Sequence, residues 1–209
     1  MATATAGVPR SFLWRSRNWI SILVFIPTAL FTVFSAPAAS LGVWGEWACY
    51  TLGWVLFMAG GAYRWWATLY ISGRKDTQVI CTGPYSMSRH PLYFGTFLLG
   101  LSCAAFLQSL LFLVGLLVTG IVYLSITLPR EESRLEAIYG DAYRDFQRRT
   151  PRFFPNWANY QSPESIVVNL SGLKAELFRA ARWALIPLLA HLLWQARLEA
   201  WWPHWMTLP

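Results

Sequence analysis

The sequence predicts an all-α fold: a polytopic integral membrane helical bundle of about five transmembrane helices. Three observations predict it. The 209 residues are 56% hydrophobic and only 13% charged, and they include 13 Trp. Several uncharged stretches approach or exceed the roughly 20 residues that cross about 30 Å of hydrocarbon. Lys and Arg gather in the N-terminus, in 64–89 and in 130–182, and are absent from 36–63 and 91–129. That alternation places the N-terminus in the cytosol and the C-terminus on the far side.

The elements follow in order. Residues 1–18 are polar, with Arg10, Arg15 and Arg17 as their charges, and Trp19 to Trp44 is a first span interrupted by Pro27 and Pro37. Trp47 to Tyr63 is a second span, and its Ala59-Gly60-Gly61-Ala62 cluster allows close helix contact. Arg64, Trp65 and Trp66 read as an interfacial belt, and Gly73-Arg74-Lys75-Asp76 as a solvated turn. Pro91 to Pro129 contains no Asp, Glu, Lys, Arg or His. As one helix it would be about 58 Å long, nearly twice a bilayer, so Gln108-Ser109 is expected to fold it into a hairpin of two spans. A fifth span is expected over about Phe178 to Trp202, carrying His191, Arg197 and Glu199. The whole reads as a single membrane domain over 1–209: N-terminal spans to residue 80, a hairpin core over 81–155, and a C-terminal extension over 156–209.

The net charge of +7 lies beside apolar spans rather than on a polar face. Positive-inside topology and anionic headgroups therefore explain it better than nucleic acid does. Cys49, Cys81 and Cys103 are odd in number and scattered, reading as reduced packing residues with no disulfide frame and no metal site. No obligate protein partner is evident.

Two constellations carry chemistry. The first is Gly83-Pro84-Tyr85 followed by Arg89-His90-Pro91-Leu92-Tyr93 at the mouth of the apolar run. Pro91 bars the α region to His90 and suits the first helical turn, which sets Arg89 and His90 beside a helix N-terminus that favours anions. The second is Glu131-Glu132, then Leu135, Tyr139-Gly140-Asp141-Ala142-Tyr143 and the basic run Arg148 to Arg152. Glu131 and Glu132 suit a first turn, Arg148 and Arg149 a last turn, and Gly140-Asp141 reads as a stop and a new N-cap. Taken singly, most of these charges read as a solvated juxtamembrane helix, Arg134 among them. A hairpin that begins and ends on one side brings the two constellations together. Cation, imidazole, paired carboxylates and tyrosines then form a pocket for a polar molecule beside an apolar one.

These blocks resemble the isoprenylcysteine carboxyl methyltransferase family and the related phospholipid methyltransferases. The matching residues are Gly83-Pro84-Tyr85, Arg89-His90-Pro91 with Tyr93, Glu131-Glu132, Leu135, Tyr139-Gly140-Asp141 with Tyr143, and Arg149 to Pro155. The resemblance covers roughly 81–155; residues 1–80 match only as apolar spans, and the segment after 156 departs from the compact microbial members.

The resemblance implies S-adenosyl-L-methionine as cofactor and methyl transfer to a lipophilic small molecule or lipid, in a membrane with the active site facing the cytosol. It implies cofactor binding by Tyr85, Arg89, His90, Tyr93, Glu131 and Glu132, and catalysis by Glu132, Arg149 and Tyr143. Arg149 or Arg152 would steer an anionic acceptor, and Tyr93 and Tyr143 would lie near the sulfonium. A lateral opening to lipid is expected beside Tyr93, Phe94 and Phe97. Isoprenylcysteine carboxylate, phospholipid amine and a small thiol remain open as acceptors. Two other functions compete: a nicotinamide-dependent reductase like the sterol reductases, and a non-catalytic membrane scaffold.

Overall fold

The computed structural model describes residues 26–36, 41–72, 78–166 and 168–207. Residues 26–34 are helical (α1) and run into β1 (Ser35–Ala36). Next come α2 (Gly42–Ile71), α3 (Pro84–Met87), α4 (Pro91–Leu107) and α5 (Leu110–Val122). A π turn at Tyr123–Thr127 leads into α6 (Leu128–Tyr139), followed by α7 (Asp141–Arg149), α8 (Leu170–Trp183), α9 (Leu185–Leu198) and β2 (Met206–Thr207).

The elements of the described residues are helices, apart from a two-residue parallel bridge that pairs Ser35 with Met206 and Ala36 with Thr207. Two helical stretches, Leu110–Tyr139 and Leu170–Leu198, are long and apolar enough to cross a membrane, and α4 is a shorter apolar helix. The apolar runs predict five spans. The difference has local causes. The expected first span lies partly outside the described residues, and α2 mixes Glu46, Arg64 and several tyrosines into its apolar sequence. The expected turn at 73–76 and the basic residues of 1–18 also lie outside the described residues.

The centre of the bundle is the crossing of α2 and α4, and glycine sets its closeness. A Cβ on Gly60 would come within 2.9 Å of the Gly95 carbonyl oxygen, and one on Gly95 within 2.5 Å of Arg64 Cγ. Further along α4, Phe106 lies on Gly53, where an added Cβ would meet its ring at 2.7 Å. Small residues thus let two backbones approach as expected of the 59–62 cluster.

Gln108 adopts a left-handed conformation (φ 46°) and Ser109 caps α5 by accepting from Phe112 N, so the hairpin turns where the sequence predicts. Its return leg does not stop at Pro129. The π turn precedes this proline, and the helix passes on into α6, a widening that accommodates the missing N–H. Glu131 and Glu132 therefore sit inside a continuous helical stretch rather than at a free N-terminus. Gly140 (φ 57°) both ends α6 and caps α7; Asp141, expected as the cap, is instead in the first turn and pairs with Arg144.

The C-terminal extension packs onto the bundle. Its expected fifth span falls largely within the helical stretch Leu170–Leu198, in which the single residue Ala184 separates α8 from α9. Arg197, one of the charges within it, is buried and donates to the Ser35 and Leu107 carbonyls, tying α9 to the ends of β1 and α4.

Candidate functional site

At the end of the hairpin opposite the Gln108 turn, three segments meet. Gly83 (φ 61°) starts α3 where a side chain would strike the Tyr70 ring at 2.3 Å. The segment after α3 is then held by its neighbour after α7: Arg89 N donates to Pro151 O at 2.9 Å, Asn156 N to Met87 O at 3.0 Å, and Ser88 Oγ to Phe153 O at 2.9 Å. His90 (φ −126°, ψ 57°) is outside the α region, as Pro91 requires, and caps α4 through its carbonyl.

This lacing concentrates charge on Glu132. Its Oε1 lies 3.2 Å from His90 Nε2 and 2.9 Å from Arg89 Nη1, and its Oε2 lies 2.7 Å from Arg152 Nη2. His90 and Glu132 are almost wholly buried, whereas Arg152 is half exposed. Glu132 stands in the polar stretch beyond Leu128, outside the apolar run. Burial alone would raise its pKa, but hydrogen bonds from His90 and Arg152 and the Arg89 charge outweigh burial and bring it down to about 2. An ionised carboxylate only accepts, so Nε2 of His90 carries the proton in this contact. Beside this cluster, Tyr93 donates its hydroxyl to Glu131 Oε2 at 3.0 Å.

A cavity with about 850 Å³ of empty space, including its open mouth, lies against these groups. Tyr85, Arg89, His90, Tyr93, Glu131 and Tyr143 line it, so six of the eight expected site residues share one wall. Glu132 does not line it: it stands behind Arg89 and His90 and holds them in place. Arg149 is the clear departure from expectation. Its side chain is exposed and donates to the Asp145 carbonyl, because Thr150 and Pro151 end α7 and turn the chain so that Arg152, not Arg149, reaches Glu132. Arg134, expected on a solvated face, is exposed and also lines the cavity. Sequence periodicity gives no signal for either placement, since both depend on the turn after α7 and on the angle of α6.

One further expectation is corrected here. Arg64, read as part of an interfacial belt, is buried and paired with Glu176 at 3.1 Å. Phe94 and Phe97 pack edge-on against Phe153 on the face where a lateral opening is expected. Of the apolar residues on α6 and α7, Leu135 and Phe146 line the cavity, while Ile138 is exposed.

The family match spans residues 46–137, from α2 to α6. It is to the isoprenylcysteine carboxyl methyltransferase family, and a relative 31% identical over 182 residues covers 82% of this chain and 80% of its own length. The chain belongs to this family. That relative is the cobalt-zinc-cadmium resistance protein CzcN of Cupriavidus metallidurans. A second, the nickel-cobalt-cadmium resistance protein NccN of Alcaligenes xylosoxydans xylosoxydans, is 29% identical over 199 residues, 95% of this chain and 92% of its own length. No solved structure matches. The isoprenylcysteine carboxyl methyltransferase match begins well before the Gly83-Pro84-Tyr85 block, taking in α2, and ends before the Tyr143 and Arg152 segments.

Membership of this methyltransferase family implies S-adenosylmethionine, and the cavity wall fits that molecule chemically. The Tyr85 hydroxyl and Arg89 Nε are buried without a hydrogen-bond partner among the described residues, an expensive state that a ligand oxygen would relieve. Burial pushes the Tyr85 phenol up, so it is protonated and able to donate. Glu131 offers a carboxylate to hydroxyls or an ammonium, and Ile80, Leu92 and Phe146 supply apolar surface for a base.

Proposed function

We propose that this protein transfers a methyl group from S-adenosylmethionine to a lipophilic acceptor of the isoprenylcysteine-carboxylate type at the cytosolic face of a membrane. What supports the reading is the cavity wall on which Arg89, His90, Tyr85, Tyr93 and Glu131 converge, with the Tyr85 hydroxyl and Arg89 Nε meeting no acceptor among the described residues.

When bound, the cofactor supplies an electrophilic methyl group. The chain's own residues do the rest. Arg89 and Tyr85 hold carboxylate or hydroxyl oxygens, and Glu131 accepts from hydroxyls or an ammonium. Glu132 keeps Arg89 and His90 in register, because its carboxylate is committed to three donors. Arg152, half exposed beside Glu132, draws an anionic acceptor toward the mouth. Methyl transfer is an in-line displacement, so positioning supplies much of the rate. A carboxylate acceptor needs no base. An amine must lose a proton, and Glu131 is the carboxylate on the wall able to take it.

Purified protein, a membrane-lipid extract, an S-prenylcysteine and methyl-labelled donor test this directly. Label in the ester of the prenylcysteine supports the carboxylate acceptor, and label in phospholipid supports the amine acceptor. Label in neither, from folded protein, removes the proposal. The names of the relatives favour a setting in metal resistance. A strain lacking this protein should then lose tolerance to cobalt or cadmium, restored by the native chain and not by His90→Ala.

A further inference from the structure

The bundle contains a second ion cluster, away from the cavity. Arg64 of α2 directs Nε and Nη2 to Glu176 Oε1 of α8 at 3.2 and 3.1 Å, and Arg179 bonds the other carboxylate oxygen. Glu176 is fully buried, and the Trp183 ring lies 4.2 Å from the Arg64 guanidinium carbon. The third nitrogen of Arg64 points the other way. Nη1 donates to the Leu92 carbonyl at 3.1 Å and to Thr96 Oγ1, both in the opening turns of α4.

Those turns carry the site. His90 caps them, accepting from Tyr93 N and Phe94 N at 3.1 Å each. From this stretch the His90 side chain reaches Glu132 and the Tyr93 side chain reaches Glu131. Because Arg64 Cγ also lies where a Gly95 side chain would be, the arginine fills the space beneath the same stretch. A planar fork bonds α8 on one edge and α4 on the other, which an ammonium cannot do. Stability alone does not account for the pair, since replacing a buried ion pair by apolar residues of similar volume is often neutral or stabilising.

We infer that Arg64 and Glu176 are positioning residues for the candidate site: Glu176 aims Arg64, and Arg64 fixes the first turns of α4 and with them His90 and Tyr93. The inference rests on the proposed methyl-transfer reading. It also gives the C-terminal extension a role in the site, because Glu176 lies outside the residues the family match covers.

The test uses full-length protein in detergent. In Arg64→Met/Glu176→Met, hydrogen exchange of the amides over 92–96 should quicken about tenfold while the melting temperature and the exchange of α6 hold. Turnover should fall about ten- to a hundredfold. Arg64→Lys keeps the charge and the pairing with Glu176 but cannot also reach Leu92, so its turnover should fall too. Unchanged exchange over 92–96 in the folded double variant, or full turnover in Arg64→Lys, overturns the inference. If the double variant does not fold, Arg64→Lys decides. A native protein that transfers no methyl group counts against the proposed function instead, and the exchange measurement still decides the positioning role.

Discussion

His90 and Glu132 stand 42 positions apart in sequence, and Nε2 of one lies 3.2 Å from Oε1 of the other. The hairpin between them makes the contact, returning the chain to the level at which it left. Arg89 and Arg152 close on the same carboxylate, so removing Glu132 exposes two guanidiniums to each other as well as freeing the imidazole.

His90→Ala and Glu132→Ala should each weaken S-adenosylmethionine binding by about 1–3 kcal/mol, the usual loss for a charge-assisted contact. Arg148→Ala, on the outer face of α7 where Arg148 meets Asp145, is the control and should change it little. Arg134→Ala should weaken binding as well, since Arg134 lines the cavity. Isothermal titration on the four variants checks the ranking.

Arg152→Ala should lower cofactor affinity or turnover about tenfold, as expected for loss of a paired contact of about 1.4 kcal/mol. Arg149→Ala should leave both nearly unchanged. The reverse ranking would return the steering role to Arg149.

The depressed Glu132 pKa has a sign. A carboxylate held below its ordinary 4.5, here to about 2, adds stability that is fully present above about pH 4.5 and is lost as pH falls through about 2. The stability difference between native protein and Glu132→Gln should therefore be flat from about pH 5 to 8 and shrink below about pH 4.5. Thermal melts across that range measure it. A difference that changes between about pH 6 and 8 would show another group titrating there.

Gly95→Trp should abolish folding rather than block acceptor entry alone, because the α2–α4 crossing has no room for a Cβ. Overpacking of this kind costs about 1–3 kcal/mol or more for far smaller insertions. Size-exclusion profiles of the detergent-purified variant should show aggregate. A monodisperse variant with native cofactor affinity would mean the crossing is looser than its geometry.

The pairing of β1 with β2 joins two segments expected on the non-cytosolic side. Cysteines introduced at positions 41 and 203 should label from one side of the membrane, and those at 78 and 145 from the other. Labelling of 41 and 145 from the same side would refute the topology.

Much of the site is legible in the sequence because it depends on local chemistry. Pro91 sets the His90 conformation, Gln108-Ser109 turns the hairpin, and Gly140 separates α6 from α7, each through a backbone preference of the residue itself. Arg64 is not legible. An Arg-Trp-Trp triplet at the end of an apolar stretch reads identically whether it faces headgroups or a buried Glu176 lying 112 positions later. Arg152 emerges from the sequence only as one of two options, because the side-chain direction past Pro151 depends on the pairing of 150–156 with 87–89, a long-range contact with no local signature. The passage of the helix through Pro129 is hidden for the opposite reason: proline is a strong local stop, and the π turn that absorbs it is set by the surrounding bundle.

The central claim is that the cavity beside Arg89, His90 and Glu131 holds S-adenosylmethionine. Titrating the detergent-purified protein with S-adenosylmethionine and, separately, with reduced nicotinamide dinucleotide phosphate tests it most directly. Saturable binding of the first, lost in His90→Ala, and none of the second is the predicted result. Folded native protein that binds the nicotinamide cofactor, or that binds neither, contradicts it.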